Sequence, residues 1–508
     1  MTGRYSRRHV LAGVGVGLST LAGCLSDSMD DESITVARPR SSQDGEWSVY
    51  GGVIPYYSRV FEPLVGTSDE MEPEPLLATE WEQTDETTWR FDIREDVTFH
   101  NGAELSAEDV VASFEETIDY HDATGWINVE PDGVSAVDEY TVEFETVEPF
   151  PTLPGTISHN YFGIVHSETD ADDDTAIGTG PFRLEERAGD DVTLVPYEDH
   201  WDVVPTAEEL HLEVVDDPTT RVQALEGTDA NVALEPPRSA VSGLEDAAET
   251  ATERQLTPRT CFGGVNIYKE PTDDESLRRA LAYAIDQDEL VESVLEGIGE
   301  PARGPISPEI PFAIHDDLPT FGPDLEEARD LVEDSAYNGE TLSILIDGGE
   351  PDDRNVAEIL QDRFDEIGVE SEITSVESAA FMETFTDGDA HVSIVTLGSN
   401  SAAADYLVRA MFHSEGSDNQ QLYEEEGTGV MNLGSDVDDL IEEGYRTDGL
   451  EAKREIYGEV QERVVEEGVV LPLYYLEYVA GYESDLSPPT LHPVSAMSDF
   501  TELERTDD

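Results

Sequence analysis

Lysine is almost absent from this chain. Lys269 and Lys453 are the only two in 508 residues, and Lys plus Arg number 27 against 116 Asp plus Glu. The formal net charge of −89 excludes nucleic acid and anionic lipid as partners, because like charge repels them. Cysteine is as scarce, with Cys24 and Cys261 alone, so no disulfide framework supports the fold and stability rests on packing. Long apolar runs are missing as well. The stretch from Val10 to Leu21 is glycine-interrupted and too short to span a bilayer comfortably. No G-x-S-x-G, H-E-x-x-H, G-x-x-x-x-G-K-[ST] or zinc-type cysteine pair occurs, and the eleven histidines are scattered. Enzymes that carry their chemistry on a local motif are thereby excluded; a triad assembled in space is not. There is no repeat at a fixed period, which argues against a structural surface protein.

What is present is a large, foldable chain. Hydrophobic residues make up 38%, so the acid decorates a folded surface and does not signal disorder. The length suits two to four domains. So extreme an acidic excess points to a protein that works in very high salt, where the Debye length falls to roughly 3 Å and self-repulsion is screened.

The N-terminus reads as an address. Ser6-Arg7-Arg8-His9-Val10-Leu11 is a twin-arginine pattern, and Leu21-Ala22-Gly23-Cys24 resembles a lipoprotein cleavage site. The expectation is a signal peptide over 1–23, acylation of Cys24, a small, acidic tether over 24–33, and residence on the outer face of the cytoplasmic membrane. An uncleaved anchor is the alternative. Cys261, beside Phe262 and Gly263, is expected to be buried.

The most informative stretch runs from Trp89 to Phe114. Trp89, Phe91 and Ile93 alternate with Arg90, Asp92 and Arg94, the period of a half-buried strand. His100-Asn101-Gly102 then turns the chain. Ser106 with Asp109 is a near capping box, and Val110, Phe114 and Ile118 after it share a helical face. Asp170, Asp172 and Asp174 briefly suggest a calcium loop, but Thr175 and Pro181 stand where an EF-hand needs Gly and Glu. Asp217-Pro218-Thr219-Thr220 opens a helix with proline in its first turn. From Asn266 onward helices and strands alternate: helices around Leu277–Ile285, Asp352–Ile367, Ser435–Arg446 and Leu450–Glu467, and strands Leu342–Ile346, Val369–Val376, Val392–Leu397 and Val469–Val479. That is the grammar of an α/β sheet with helices on its faces.

Glu62-Pro63-Leu64-Val65, Pro75-Leu76-Leu77-Ala78-Thr79-Glu80-Trp81, the Phe91–Ser113 stretch, Gly178-Thr179-Gly180-Pro181-Phe182 and Tyr197-Glu198-Asp199-His200-Trp201 recur here in the order they take in one family. The chain resembles the peptide/nickel class of ABC-importer solute-binding proteins, solute-binding family 5. The resemblance implies a two-lobed α/β fold of the periplasmic-binding-protein type II, in its large form with an extra subdomain in lobe I. The implied division is lobe I from 34–74 and 178–265, the extra subdomain from 75–177, lobe II from 266–478, and a return to lobe I over 479–508. It further implies no enzyme activity, no cofactor, and delivery of a captured solute to permease subunits served by a cytoplasmic ATPase. The loop Gly398–Tyr406 after a strand is where α/β proteins place ligands, and Ser399, Asn400, Asp405 and Tyr406 are its candidates. In peptide-binding relatives this region supplies an aspartate for the peptide ammonium; Asp405 is the nearest match, and equally suits a helix cap. Tyr56 is a further candidate wall. Trp126 and His413 fall where nickel-chelate relatives place an aromatic wall and a metal-contacting histidine. A di- or oligopeptide is the expected solute, a nickel chelate the alternative, and a secreted hydrolase using His100 the rival from another class.

Overall fold

The computed structural model describes residues 33–39, 58–121, 123–169, 176–350, 352–416, 430–447 and 449–506. The twin-arginine segment, Cys24, Tyr56 and the aspartates at 170, 172 and 174 lie outside these residues. Among the described residues no helix is long and apolar enough to cross a membrane.

One long sheet runs through the molecule. Its strands follow the order Ser371–Val376, Leu342–Asp347, Val392–Gly398, Thr250–Val265, Val470–Glu483, Val232–Leu234, Ser33–Arg38, Glu209–Val214, Asp191–Pro196 and Phe182–Ala188. The two longest strands, Thr250–Val265 and Val470–Glu483, pair antiparallel along most of their length. Their halves belong to different lobes. Ala251–Leu256 lies against Glu477–Tyr482, beside Val232–Leu234 in lobe I. Thr260–Gly264 lies against Val470–Tyr475 and Val392–Gly398 in lobe II. These are the two hinge strands. The second extends past the expected Val479 because its tail finds partners in lobe I.

Each lobe has its own core. Lobe II packs Leu277, Leu281, Ile344, Leu360, Phe364, Val464 and Leu471 among others, with Cys261 fully buried in it. Burial pushes the Cys261 thiol up to about 12, so it stays protonated. Lobe I buries Val36, Leu194, Leu210, Leu212 and Phe500.

The extra subdomain is a four-stranded antiparallel sheet, Ala78–Asp85, Thr88–Ile93, Thr141–Thr146 and Val129–Asp138, covered by the helix Ala107–His121. Trp89, Phe91 and Ile93 point inward in alternation, and Val110, Phe114 and Ile118 meet them from the helix. Asp109 accepts from both the backbone N–H of Ser106 (3.0 Å) and its hydroxyl (2.6 Å), so the cap is made by the aspartate.

Where subdomain meets lobe I, the shared sequence motifs converge on one buried carboxylate. Glu62 accepts from Thr179 Oγ1 at 2.9 Å, Trp201 Nε1 at 3.1 Å and His200 Nε2 at 3.2 Å. His200 Nδ1 accepts from the N–H of Val203 at 3.0 Å, which puts the ring proton on Nε2, toward Glu62. Arg94 stacks on Trp201 with its guanidinium 4.0 Å from the ring centre. Glycine is required in the Gly-Thr-Gly turn for a reason other than an unusual turn conformation. Neither Gly178 nor Gly180 has a positive φ. A Cβ at Gly180 would lie 1.9 Å from Arg59 O and one at Gly178 2.0 Å from Val60 O, so close backbone approach dictates the residue.

Candidate binding cleft between the lobes

The cleft is made of two cavities that share Asn400, and the two long strands line the inner one, through residues 257–259 and 476–479. The outer cavity, about 620 Å³, lies between the subdomain and lobe II. Trp126, Phe150, Thr152, Thr156 and His159 line it from the subdomain; Ser401, Tyr406, Arg409, Glu415 and Tyr445 line it from lobe II. Trp126 sets its ring edge-on to His159 at 5.0 Å and leans on Phe162 at 5.1 Å. Tyr406 is exposed, its hydroxyl donating to Gly398 O at 2.6 Å. The inner cavity, about 470 Å³, sits against the hinge and is lined by Arg221, Glu235, Arg259, Ser399, Asn400 and Tyr478 among others.

Of the residues expected from the sequence, Trp126, Asn400 and Tyr406 share the outer cavity, and Ser399 with Asn400 lines the inner one. Ser399 is buried and its hydroxyl donates to Ser401 O at 2.8 Å, which shapes the loop. Asp405 faces elsewhere. Its Oδ1 accepts from Lys453 Nζ at 2.8 Å and from the Tyr457 hydroxyl at 2.9 Å, and it lines neither cavity of the cleft. It is the first residue of the helix Asp405–Phe412 and ties that helix to Leu450–Glu466. His413, buried at the end of the same helix, also stands off the lining; its Nδ1 accepts from the N–H of Glu415 at 3.0 Å and its Nε2 lies 3.6 Å from Glu442. His100 is no general base. Its Nδ1 accepts from Gly178 N at 3.3 Å, so Nε2 carries the proton and donates to Gly180 O at 2.9 Å, and burial lowers its pKa to about 4.

His159, Arg409, Tyr445, Glu235 and Arg259 were not singled out from the sequence as site residues. They come from separate segments of the chain, and no local spacing joins them. His159 accepts from Tyr161 N at 3.1 Å through Nδ1, which leaves the proton on Nε2, and burial lowers its pKa to about 3. A neutral ring with that tautomer offers a hydrogen-bond donor, not a metal-binding lone pair, at Nε2. Among the described residues, no three or more His, Cys, Asp or Glu side chains are grouped to hold a metal ion.

The lobes touch beside the cleft. Arg238 of lobe I pairs with Asp352 of lobe II at 2.8 Å. Ala402 N–H donates to Ser158 Oγ at 3.1 Å, and a Cβ on Gly155 would lie 2.9 Å from the Ala402 carbonyl, so the subdomain presses directly on the candidate loop.

Comparison with known proteins agrees with this architecture. Residues 72–419 match the model of the bacterial extracellular solute-binding proteins, family 5 Middle. The dipeptide-binding protein of Escherichia coli is 23% identical over 445 residues, 80% of this chain and 81% of its own. The heme-binding protein A of Haemophilus influenzae is 24% identical over 441 residues, 80% of this chain and 79% of its own. The crystal structure of a nickel ABC transporter protein from Bacillus halodurans superposes with a TM-score of 0.79 at 24% identity, covering 93% of this chain and 99% of that one. A family match over so much of the chain, on a two-lobed frame whose shared motifs meet at Glu62, places this protein among the bacterial extracellular solute-binding proteins of family 5.

Proposed function

We propose that this protein is the capturing component of an ABC importer, that it takes a short peptide between its lobes, and that it hands the peptide to the membrane permease. The observation that carries the reading is the pair of cavities that share Asn400, the outer one walled by aromatic rings between the subdomain and lobe II, the inner one set against the two long strands that run between the lobes. Such a cleft offers a few polar groups among apolar walls, the usual make-up of a small-molecule site, and its relatives are binding proteins. Catalysis is not part of the proposal, since His100 spends both ring nitrogens on backbone groups. Export by the twin-arginine route, a lipid anchor at Cys24 and a high-salt working medium complete it.

A nickel chelate is the second reading, favoured by Trp126, whose ring walls the outer cavity beside His159. The ring tautomers of His159 and His413 weigh against direct metal contact. Thermal shift of the purified protein in molar salt separates the two, because a ligand that binds only the folded state stabilises it by about 2.7 kcal/mol at a hundredfold excess over Kd. A shift with di- to pentapeptides and none with nickel plus histidine supports the peptide reading; the reverse refutes it.

A further inference from the structure

The inner cavity holds a carboxylate that the chain itself leaves without a hydrogen bond or ion pair among the described residues. Glu235 comes directly after the strand Val232–Leu234 with φ at 49°, the left-handed region. An L residue other than glycine pays roughly 1–2 kcal/mol to sit there. The surroundings impose that conformation. Arg221 Nη2 donates to Glu235 O at 2.7 Å, Arg221 Nε to Leu234 O at 2.7 Å and Arg221 Nη1 to Val215 O at 2.6 Å. The N–H of Glu235 donates to Val479 O of the second hinge strand at 2.8 Å. Pro236 and Pro237 stiffen the backbone on its C-terminal side. Backbone strain held this firmly beside a cleft is a mark of function.

On the facing hinge strand the ladder breaks between Leu256 and Thr260, and Arg259 sits on that irregularity, after Pro258, which has no N–H to donate. Its guanidinium, too, has no hydrogen bond or ion pair among the described residues. In a chain with 27 basic side chains against 116 acidic ones, Arg259 stands exposed at the cavity wall within electrostatic reach of Glu235. Glu235 and Arg259 are both exposed to the solvent of the cavity; the protein packed around the Glu235 carboxyl raises it, while Arg221 and Arg259 both pull it down. Asp405, the expected partner for a ligand amine, is occupied by Lys453 and Tyr457.

We infer that Glu235 and Arg259 are the charge-recognition pair of the cleft, Glu235 taking the ammonium group of the solute and Arg259 its carboxylate, so that the solute is a zwitterion with both ends free. This rests on the reading of the cleft as the capture site.

The test is calorimetric titration of the full chain in molar salt with dialanine, N-acetyl-dialanine, dialanine amide, free alanine and nickel–histidine, on wild type, Glu235→Gln and Arg259→Gln. The expected result is that acetylation and Glu235→Gln each weaken dialanine binding about tenfold or more, and together no further than either alone. Amidation and Arg259→Gln behave likewise. Acetylation and amidation act on the wild-type protein, so the result does not hang on the variants folding. Blocked peptides binding as tightly as free ones, or both variants binding dialanine as wild type does, overturns the pair and leaves the capture function standing. Capture of alanine or nickel–histidine but of no peptide, lost in Glu235→Gln, overturns the peptide reading and keeps the pair. Silence with all five probes overturns both.

Discussion

Removing the Glu62 carboxylate should unfasten the subdomain from lobe I. Three donors converge on it, and two of them, the Thr179 hydroxyl and His200 Nε2, belong to buried residues. Trp201 is only partly buried and can turn its N–H to water. A buried donor left without its acceptor costs about 1–3 kcal/mol, so Glu62→Ala is expected to lose about 3–5 kcal/mol, including the small void it opens. Glu62→Gln keeps the size but turns a donor toward His200, whose Nε2 already carries a proton; about 1–3 kcal/mol is expected. The assay is urea unfolding in molar salt, monitored by tryptophan emission. All five tryptophans precede residue 202, and the four among the described residues, Trp81, Trp89, Trp126 and Trp201, pack on the subdomain core, so their emission reports on the subdomain and its seam with lobe I while the far-ultraviolet signal also reports on lobe II. A loss under about 1 kcal/mol in Glu62→Ala, or an equal loss in lobe II, would refute the reasoning.

Gly180→Ala drives a Cβ into Arg59 O and should cost more than about 3 kcal/mol, whereas Gly125→Ala, with nothing within 4 Å, should change stability by less than about 0.5 kcal/mol; midpoints of thermal unfolding compare them. Arg238→Ala breaks a half-exposed contact between lobes; ligand affinity should fall by no more than about fivefold, and less at higher salt, and a larger loss would mean that Arg238, which also lines the inner cavity, meets the ligand directly. Burial raises Asp353 to about 7. The folded chain therefore keeps a proton that the unfolded chain releases between about pH 4 and 7, and stability from this group is lost as pH rises through 7. Asp353→Asn, which preserves an acceptor for the Asp347 N–H, should stabilise at pH 8 by on the order of 2 kcal/mol and change little at pH 4; the same gain at both would refute the assignment.

The lobe II elements were legible because their apolar positions recur at helical or strand period, as in Leu277, Leu281 and Leu342–Ile346. The family was legible because Glu62, Gly178, Gly180 and Trp201 answer one geometric demand at one place. The first hinge strand was not. Its opening, Thr-Ala-Thr-Glu-Arg-Gln-Leu from 250 to 256, is polar and half-exposed, so it carries no apolar alternation. Glu235 hid for a related reason: Glu-Pro-Pro reads as a loop, and only the clamp by Arg221 shows that the backbone is held. Asp405 stood open between a ligand contact and the start of a helix, because closeness in sequence to Asn400 and Tyr406 says nothing of the helix face it joins. Gly178 and Gly180 were recognised as part of a motif, and the physical demand behind them, crowding from residues 59 and 60, shows only in the structure.

The break in the ladder at Leu256/Thr260 puts two jobs in one place. Arg259 sits at that break and lines the inner cavity, and Arg238, which pairs with Asp352 of lobe II, lines the same cavity. On the proposed capture function, a solute held there touches at once the irregular stretch of a strand shared by both lobes and the ion pair between them. What the protein holds and how its lobes meet are thus written into one small region, and neither can change without the other.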